Sequence, residues 1–109
     1  MKEPPIQNLD SVDLTGQRKD GGVDLFIVCS SHLDGSVDTQ QLIKDKLETY
    51  IAALAHPEFR EEFGVPHPKR MAIILACVDQ PAAEVVNLLG MLRPFVERQG
   101  ASLDFKVGL

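Results

Sequence analysis

Ser31, His32, Asp34 and Asp79 follow closely on two apolar runs, Val23–Cys29 and Met71–Val78. Their types suit acid–base or nucleophilic chemistry: imidazole ionises near neutral pH, a carboxylate orients it, and it can activate a hydroxyl. In parallel α/β sheets, ligands bind beyond the carboxyl ends of the strands, where such residues would collect. Two features oppose a catalytic reading. Ser31 and His32 are sequence neighbours, an awkward geometry for nucleophile and base, and the chain holds no Gly-x-Ser-x-Gly elbow, Walker loop or dinucleotide fingerprint. The competing reading is a solvated loop with helix-capping side chains, since turns and caps favour the same residues.

Cys29, His32, Cys77 and Asp79 form a zinc ligand set by residue type. No Cys-x-x-Cys pair accompanies them, and a free cysteine inside an apolar run behaves as a small hydrophobe. No Lys or Arg adjoins either cysteine to depress its pKa. Neither a metal nor a cofactor is expected. Asp10, Asp13, Asp20 and Asp24 read as carboxylates on polar strand faces or turns, and His56 and His67 each precede a proline with no second ligand nearby.

Elements that position these residues follow from periodicity. Met1 to Asn8 holds two prolines and one aliphatic residue, too little apolar surface to offset ordering entropy, so residues 1–8 read as a flexible leader to a single domain over 9–109. Alternation from Leu9 through Val12 and Leu14 to Gly16 predicts a strand, and Asp20-Gly21-Gly22 predicts a turn into a second strand over Val23–Cys29. Asp38 with Gln41 has the spacing of a capping box. Ile43, Leu47, Tyr50, Ile51 and Leu54 then make an apolar helical stripe, with Lys44, Asp45, Lys46, Glu48 and Thr49 largely opposite. Pro57 interrupts the helix, and Glu58–Phe63 predicts a short helix closed by Gly64. Met71–Val78 is apolar on both alternating faces, the pattern of a central strand. Pro81 is placed for a first helical turn with Asp79 or Gln80 as cap, leading to a helix on Val85, Leu88, Leu89, Leu92, Phe95 and Val96 that ends at Gly100. A last strand spans Ser102–Val107.

The order strand-strand-helix-strand-helix-strand predicts an α/β (α+β) two-layer sandwich: a four-stranded mixed sheet with both main helices on one face. That architecture leaves an anomaly. With Leu25, Ile27, Met71, Ile73 and Leu75 facing the helices, Phe26, Val28, Ile74, Ala76 and Val78 face outward with no third layer to cover them. A contiguous apolar face of that kind marks an interface, first with a second copy and then with another protein. The leader or the Pro57–Lys69 segment folding over it is the alternative.

Composition closes several other classes. The chain has 109 residues, 16 acidic against 11 basic and a net charge of −5, with paired basic residues only at Arg18-Lys19 and Lys69-Arg70. Nucleic acid is therefore not an expected partner. Its longest apolar stretch is eight residues, against roughly twenty for a membrane span. Two isolated cysteines and no charged-then-apolar leader predict a cytoplasmic protein with reduced thiols.

From Val12 to the C-terminus the sequence resembles a bacterial family of small α/β proteins, a domain of unknown function. The resemblance rests on Val12-Asp13, Gly16, the Gly-x-Val-x-Leu-x-Ile run through Gly21, Val23, Leu25 and Ile27, His32-Leu33, Lys46 with Tyr50, Glu58, Pro81 and Gly100. Ser31 and the neighbourhood of Gly35 depart from the family's pattern. The resemblance implies the fold and carries no reaction.

Overall fold

Strictly alternating apolar residues build the centre of a sheet, and the two stripes of the main helices cover one side of it. A computed structural model describes residues 3–108; Met1, Lys2 and Leu109 lie outside the described residues. In chain order the elements are β1 (Leu14–Gln17), β2 (Val23–Val28), α1 (Val37–Ala55), α2 (Pro57–Phe63), β3 (Met71–Cys77), α3 (Ala83–Arg98) and β4 (Ser102–Val107). The sheet order is β1-β2-β3-β4, with β1 antiparallel to β2 and β2, β3 and β4 mutually parallel. This is the expected four-stranded mixed sheet.

Leu25, Ile27, Ile73 and Leu75 are fully buried, and they share one core cluster with Ile43, Leu47 and Leu54 of α1 and Val85, Leu89 and Val96 of α3. Each such side chain contributes roughly 1.5–3 kcal/mol by leaving water. Phe59 and Phe63 of α2 pack against the same cluster, their ring centroids 4.8 Å apart. Outward-facing residues of β2 and β3 are absent from that cluster, so all three helices serve one side of the sheet.

Several local expectations are corrected. The leader is part of the fold from Pro5 onward: Ile6 is only 1% exposed and joins the core, and the Pro5 carbonyl accepts the Ser30 N–H at 2.9 Å. One aliphatic residue suffices because it packs into the core cluster that the sheet and helices build. Strand β1 begins at Leu14 rather than Leu9, since the Asp13 N–H goes to the Tyr50 hydroxyl instead of a strand partner. Helix α1 is capped by Ser36, whose hydroxyl accepts the Thr39 N–H at 3.2 Å; Gln41 turns away to Asp45, so no Asp38–Gln41 box forms. Helix α3 starts after Ala82 with no side-chain cap. Pro81 precedes the helix, and Asp79 is engaged elsewhere.

Two glycines of opposite character lie within and just beyond α3. Gly100 has φ +104°, and a Cβ there would lie 2.6 Å from Pro66 Cβ and 3.1 Å from the Pro66 carbonyl carbon. Gly100→Ala is therefore expected to lower unfolding free energy by about 2–3 kcal/mol, combining backbone strain with a clash against a rigid ring. Gly90 is exposed in mid-helix with open space where a Cβ would go. Gly90→Ala is expected to raise stability by roughly 0.5–1 kcal/mol. Urea midpoints of the two variants moving in opposite directions would bear this out, and a neutral Gly100→Ala would refute it.

Candidate functional site

The carboxyl ends of β2 and β3 bring His32 and Asp79 together across 47 positions of sequence: His32 Nδ1 lies 2.8 Å from Asp79 Oδ1. Both side chains are half-exposed. A depression of about 620 Å³ lies beside the pair, lined by Glu3, Pro5, Ser30, Ser31, His32 and Asp34. Ser31 lines the same depression as His32. Among the described residues no hydrogen bond joins Ser31 to His32, and the Ser30 hydroxyl faces the Pro5 carbonyl at 3.3 Å.

Asp34 serves the helix and not the histidine. Its Oδ1 accepts the Ser36 N–H at 3.0 Å and the Thr39 hydroxyl at 2.7 Å. The Ser36 hydrogen bonds, followed by that from Thr39, hold its carboxyl down at about 2 against an ordinary 3.8. A carboxylate with a lowered folded pKa stabilises the fold above its unfolded pKa and loses that contribution as pH falls through the folded value. The melting temperature of the unaltered chain should therefore drop relative to that of Asp34→Ala as pH falls from about 4 to about 2. Parallel melting curves over that range would remove Asp34 from this role.

The zinc set does not assemble. Cys29 and Cys77 are buried on the helix-covered side while His32 and Asp79 are exposed beyond the strand ends. Among the described residues no group of three or more His, Cys, Asp or Glu side chains converges as metal ligands do. His56 and His67 each accept a backbone N–H two residues on, from Glu58 and Lys69, as local caps.

A polar cluster that sequence reading placed in solvent lies instead beneath the N-terminal segment. Lys46 is 0% exposed, and its Nζ donates to the Gln7 carbonyl at 2.8 Å, the Asn8 carbonyl at 2.6 Å and Asp13 Oδ1 at 2.7 Å. An ammonium has three protons, so this one is saturated. Asp13 Oδ2 accepts the Val28 N–H at 2.9 Å, and the Tyr50 hydroxyl donates to the Phe26 carbonyl while accepting the Asp13 N–H. Burial pushes the Tyr50 hydroxyl up to about 12, which keeps it a donor at every working pH. Asp13, Lys46 and Tyr50 thus form a clamp joining the N-terminal segment, α1 and β2. Asp13 and Lys46 correct the expectation of a solvated carboxylate and a helix-surface lysine. The signal was available: Lys46 sits three residues after Ile43 and four before Tyr50, inside the apolar stripe.

On the opposite side of the sheet the register aligns Leu14 with Phe26, Phe26 with Ile74 and Val28 with Ala76. Leu14 is 56% exposed and Val28 48%, and Val78, just past β3, is also exposed. Phe26 and Ala76 are half-buried, and Ile74 at 4% is covered, though it stands outside the core cluster. The N-terminal segment goes to the end of the sheet, where Gln7, Asn8 and Ser11 border Val28 across a shallow depression, and Phe59 and Phe63 of α2 pack on the helical side. Arg18, Asp24, Asp104 and Lys106 share the face by strand alternation, with Arg18 Nε 3.6 Å from Asp24 Oδ1.

Fold and sites together define a small two-layer α/β domain with one bare sheet face, a clamped N-terminal segment and a histidine–carboxylate pair at the strand ends. The model of a family of unknown function (DUF6572) matches residues 5–108, and the chain belongs to that family. No curated protein and no solved structure matches it. The match begins at Pro5, where the N-terminal segment joins the fold. Among the described residues no helix is long and apolar enough to cross a membrane.

Proposed function

We propose that this chain is a non-enzymatic interaction module of the bacterial cytoplasm that self-associates, two copies stacking the bare faces of their sheets. The observation that carries the reading is the continuous apolar strip Leu14–Phe26–Ile74 with Val28 and Ala76 beside it, opposite the side that all three helices occupy. Apolar area of this kind is normally removed from water by a partner surface. Charge favours a second copy as that partner. The face carries two basic residues, Arg18 and Lys106, and two acidic ones, Asp24 and Asp104, in a chain of net charge −5. A locally neutral patch with both signs on its rim can complement itself about a two-fold axis.

Edge-to-edge pairing is less favoured. On β4 the Leu103 carbonyl is taken by Arg93 Nε at 3.0 Å and the Phe105 N–H by Asp104 Oδ1 at 2.8 Å, and β1 offers only four residues. Occupied backbone groups and a short strand both blunt a sheet edge. Light scattering over a dilution series tests the reading: a mass near twice 12.0 kDa is expected, and a monomer at every concentration would refute it.

The 2.8 Å contact between His32 and Asp79 favours a second reading, a ligand-binding or hydrolase-like domain with its site in the depression beside His32. Under that reading, His32→Ala or Asp79→Ala abolishes ligand-induced melting shifts and leaves solution mass alone. Under the first, the same variants change neither.

A further inference from the structure

Cys29 and Cys77 take no part in the bare face or the histidine–carboxylate pair. Strands β2 and β3 run parallel with Val28 beside Ala76, so the next step sets Cys29 beside Cys77. The Cys29 N–H donates to the Ala76 carbonyl at 3.0 Å, which carries the register one residue past β2. Neighbouring strands lie about 4.8 Å apart, within the roughly 4.4–6.8 Å Cα separation that a disulfide spans. Both side chains enter the helix-covered side and are buried, and both thiols belong to the same core cluster. Each thiol donates to the carbonyl two residues back on its own strand, Cys29 to Ile27 and Cys77 to Leu75, both at 3.6 Å.

We infer that Cys29 and Cys77 close into a reversible intrachain disulfide, a redox latch across the carboxyl ends of the two central strands. The oxidant is a low-molecular-weight disulfide. The Cys77 thiolate attacks one of its sulfurs and expels a thiolate, which takes up a proton. Cys29, losing its proton to solvent, then attacks the Cys77 sulfur of the mixed disulfide and expels the second thiol. The chain loses two protons and two electrons, and the oxidant takes them up to become two thiols. Burial makes the latch slow to reach and shields it from larger reagents. Once closed, it ties together the strand ends from which the loops carrying His32 and Asp79 leave.

The test equilibrates the full chain in buffers of reduced and oxidised glutathione, approached from both the reduced and the oxidised protein so that slow access is no obstacle. Samples are acid-quenched, alkylated under denaturing conditions and weighed by intact mass. The product expected is a monomeric chain two hydrogens lighter, carrying no alkyl group. Its effective thiol concentration should be at least about tenfold higher in the folded chain than in concentrated guanidinium, because the fold holds the sulfurs adjacent. An equal or lower value in the folded chain, a stable single glutathione adduct, or a disulfide between chains would each overturn the latch.

Discussion

A Leu14→Glu/Val28→Glu double variant is expected to scatter light as a single 12.0 kDa chain at concentrations where the unaltered protein is a dimer. Both positions are about half-exposed in the isolated chain, so the substitutions leave the core untouched and the variant should melt within a few degrees of the parent. Stacking two faces about a two-fold axis would bury like charges against each other and against Phe26. Loss of two apolar anchors and desolvation of unpaired carboxylates together should weaken dimerisation at least about a hundredfold, near 3 kcal/mol. Ile74→Asp is the less informative choice because Ile74 is only 4% exposed before any partner arrives. A double variant that dimerises as tightly as the parent would sink the stacked-sheet reading. If its mass is unchanged while edge substitutions at Thr15 or Gln17 abolish association, pairing runs through β1 instead.

Lys46→Met should produce the largest loss of stability of any single substitution described. The methionine fills much the same volume, but it leaves the Asp13 carboxylate, only 16% exposed, without its counter-charge and the Gln7 and Asn8 carbonyls without their donor. Removing one partner of a buried ion pair costs about 3–5 kcal/mol, since the remaining charge stays desolvated. Against a total of roughly 5–15 kcal/mol for a domain, that is a large share. Asp13→Asn in the same chain removes the stranded charge and should restore part of the loss, a coupling that urea denaturation of the four chains in the cycle would measure. Additive effects, or a Lys46→Met chain within 1 kcal/mol of the parent, about the ordinary cost of a substitution, would mean the clamp contributes no more than a surface ion pair. Because the clamp also anchors the segment carrying Ile6, proteolysis near the N-terminus should increase before the sheet unfolds.

The helices, the strands and the sidedness of the sheet were legible because they depend on repetition. Ile43, Leu47 and Leu54 recur at helical spacing, and Leu25 and Ile27, like Ile73 and Leu75, recur at strand spacing; all were read as facing the core and all are buried. Many weak preferences of the same sign cannot easily be overruled by one contact. Membership of a family of unknown function was legible for the same reason, since the residues that carry the resemblance run through the whole domain.

Single-residue roles were harder to read. Lys46 has the composition of a surface residue, and only the folded chain shows three acceptors closing around its ammonium. Ile6 stood alone among prolines and polar residues, and burial came from a core cluster built by distant elements. Asp79 had the right type and place to cap α3, but the parallel pairing of β2 and β3 brought His32 within 2.8 Å and claimed it. The same register set Cys29 beside Cys77 and kept His32 and Asp79 outside, which dismantled a ligand set plausible by type. The sequence by itself determined which elements form and which way their apolar sides turn, because those depend on periodic burial. Tertiary structure alone decided which polar groups meet, because a hydrogen bond or ion pair depends on a few ångströms between residues tens of positions apart, and no local pattern encodes that distance.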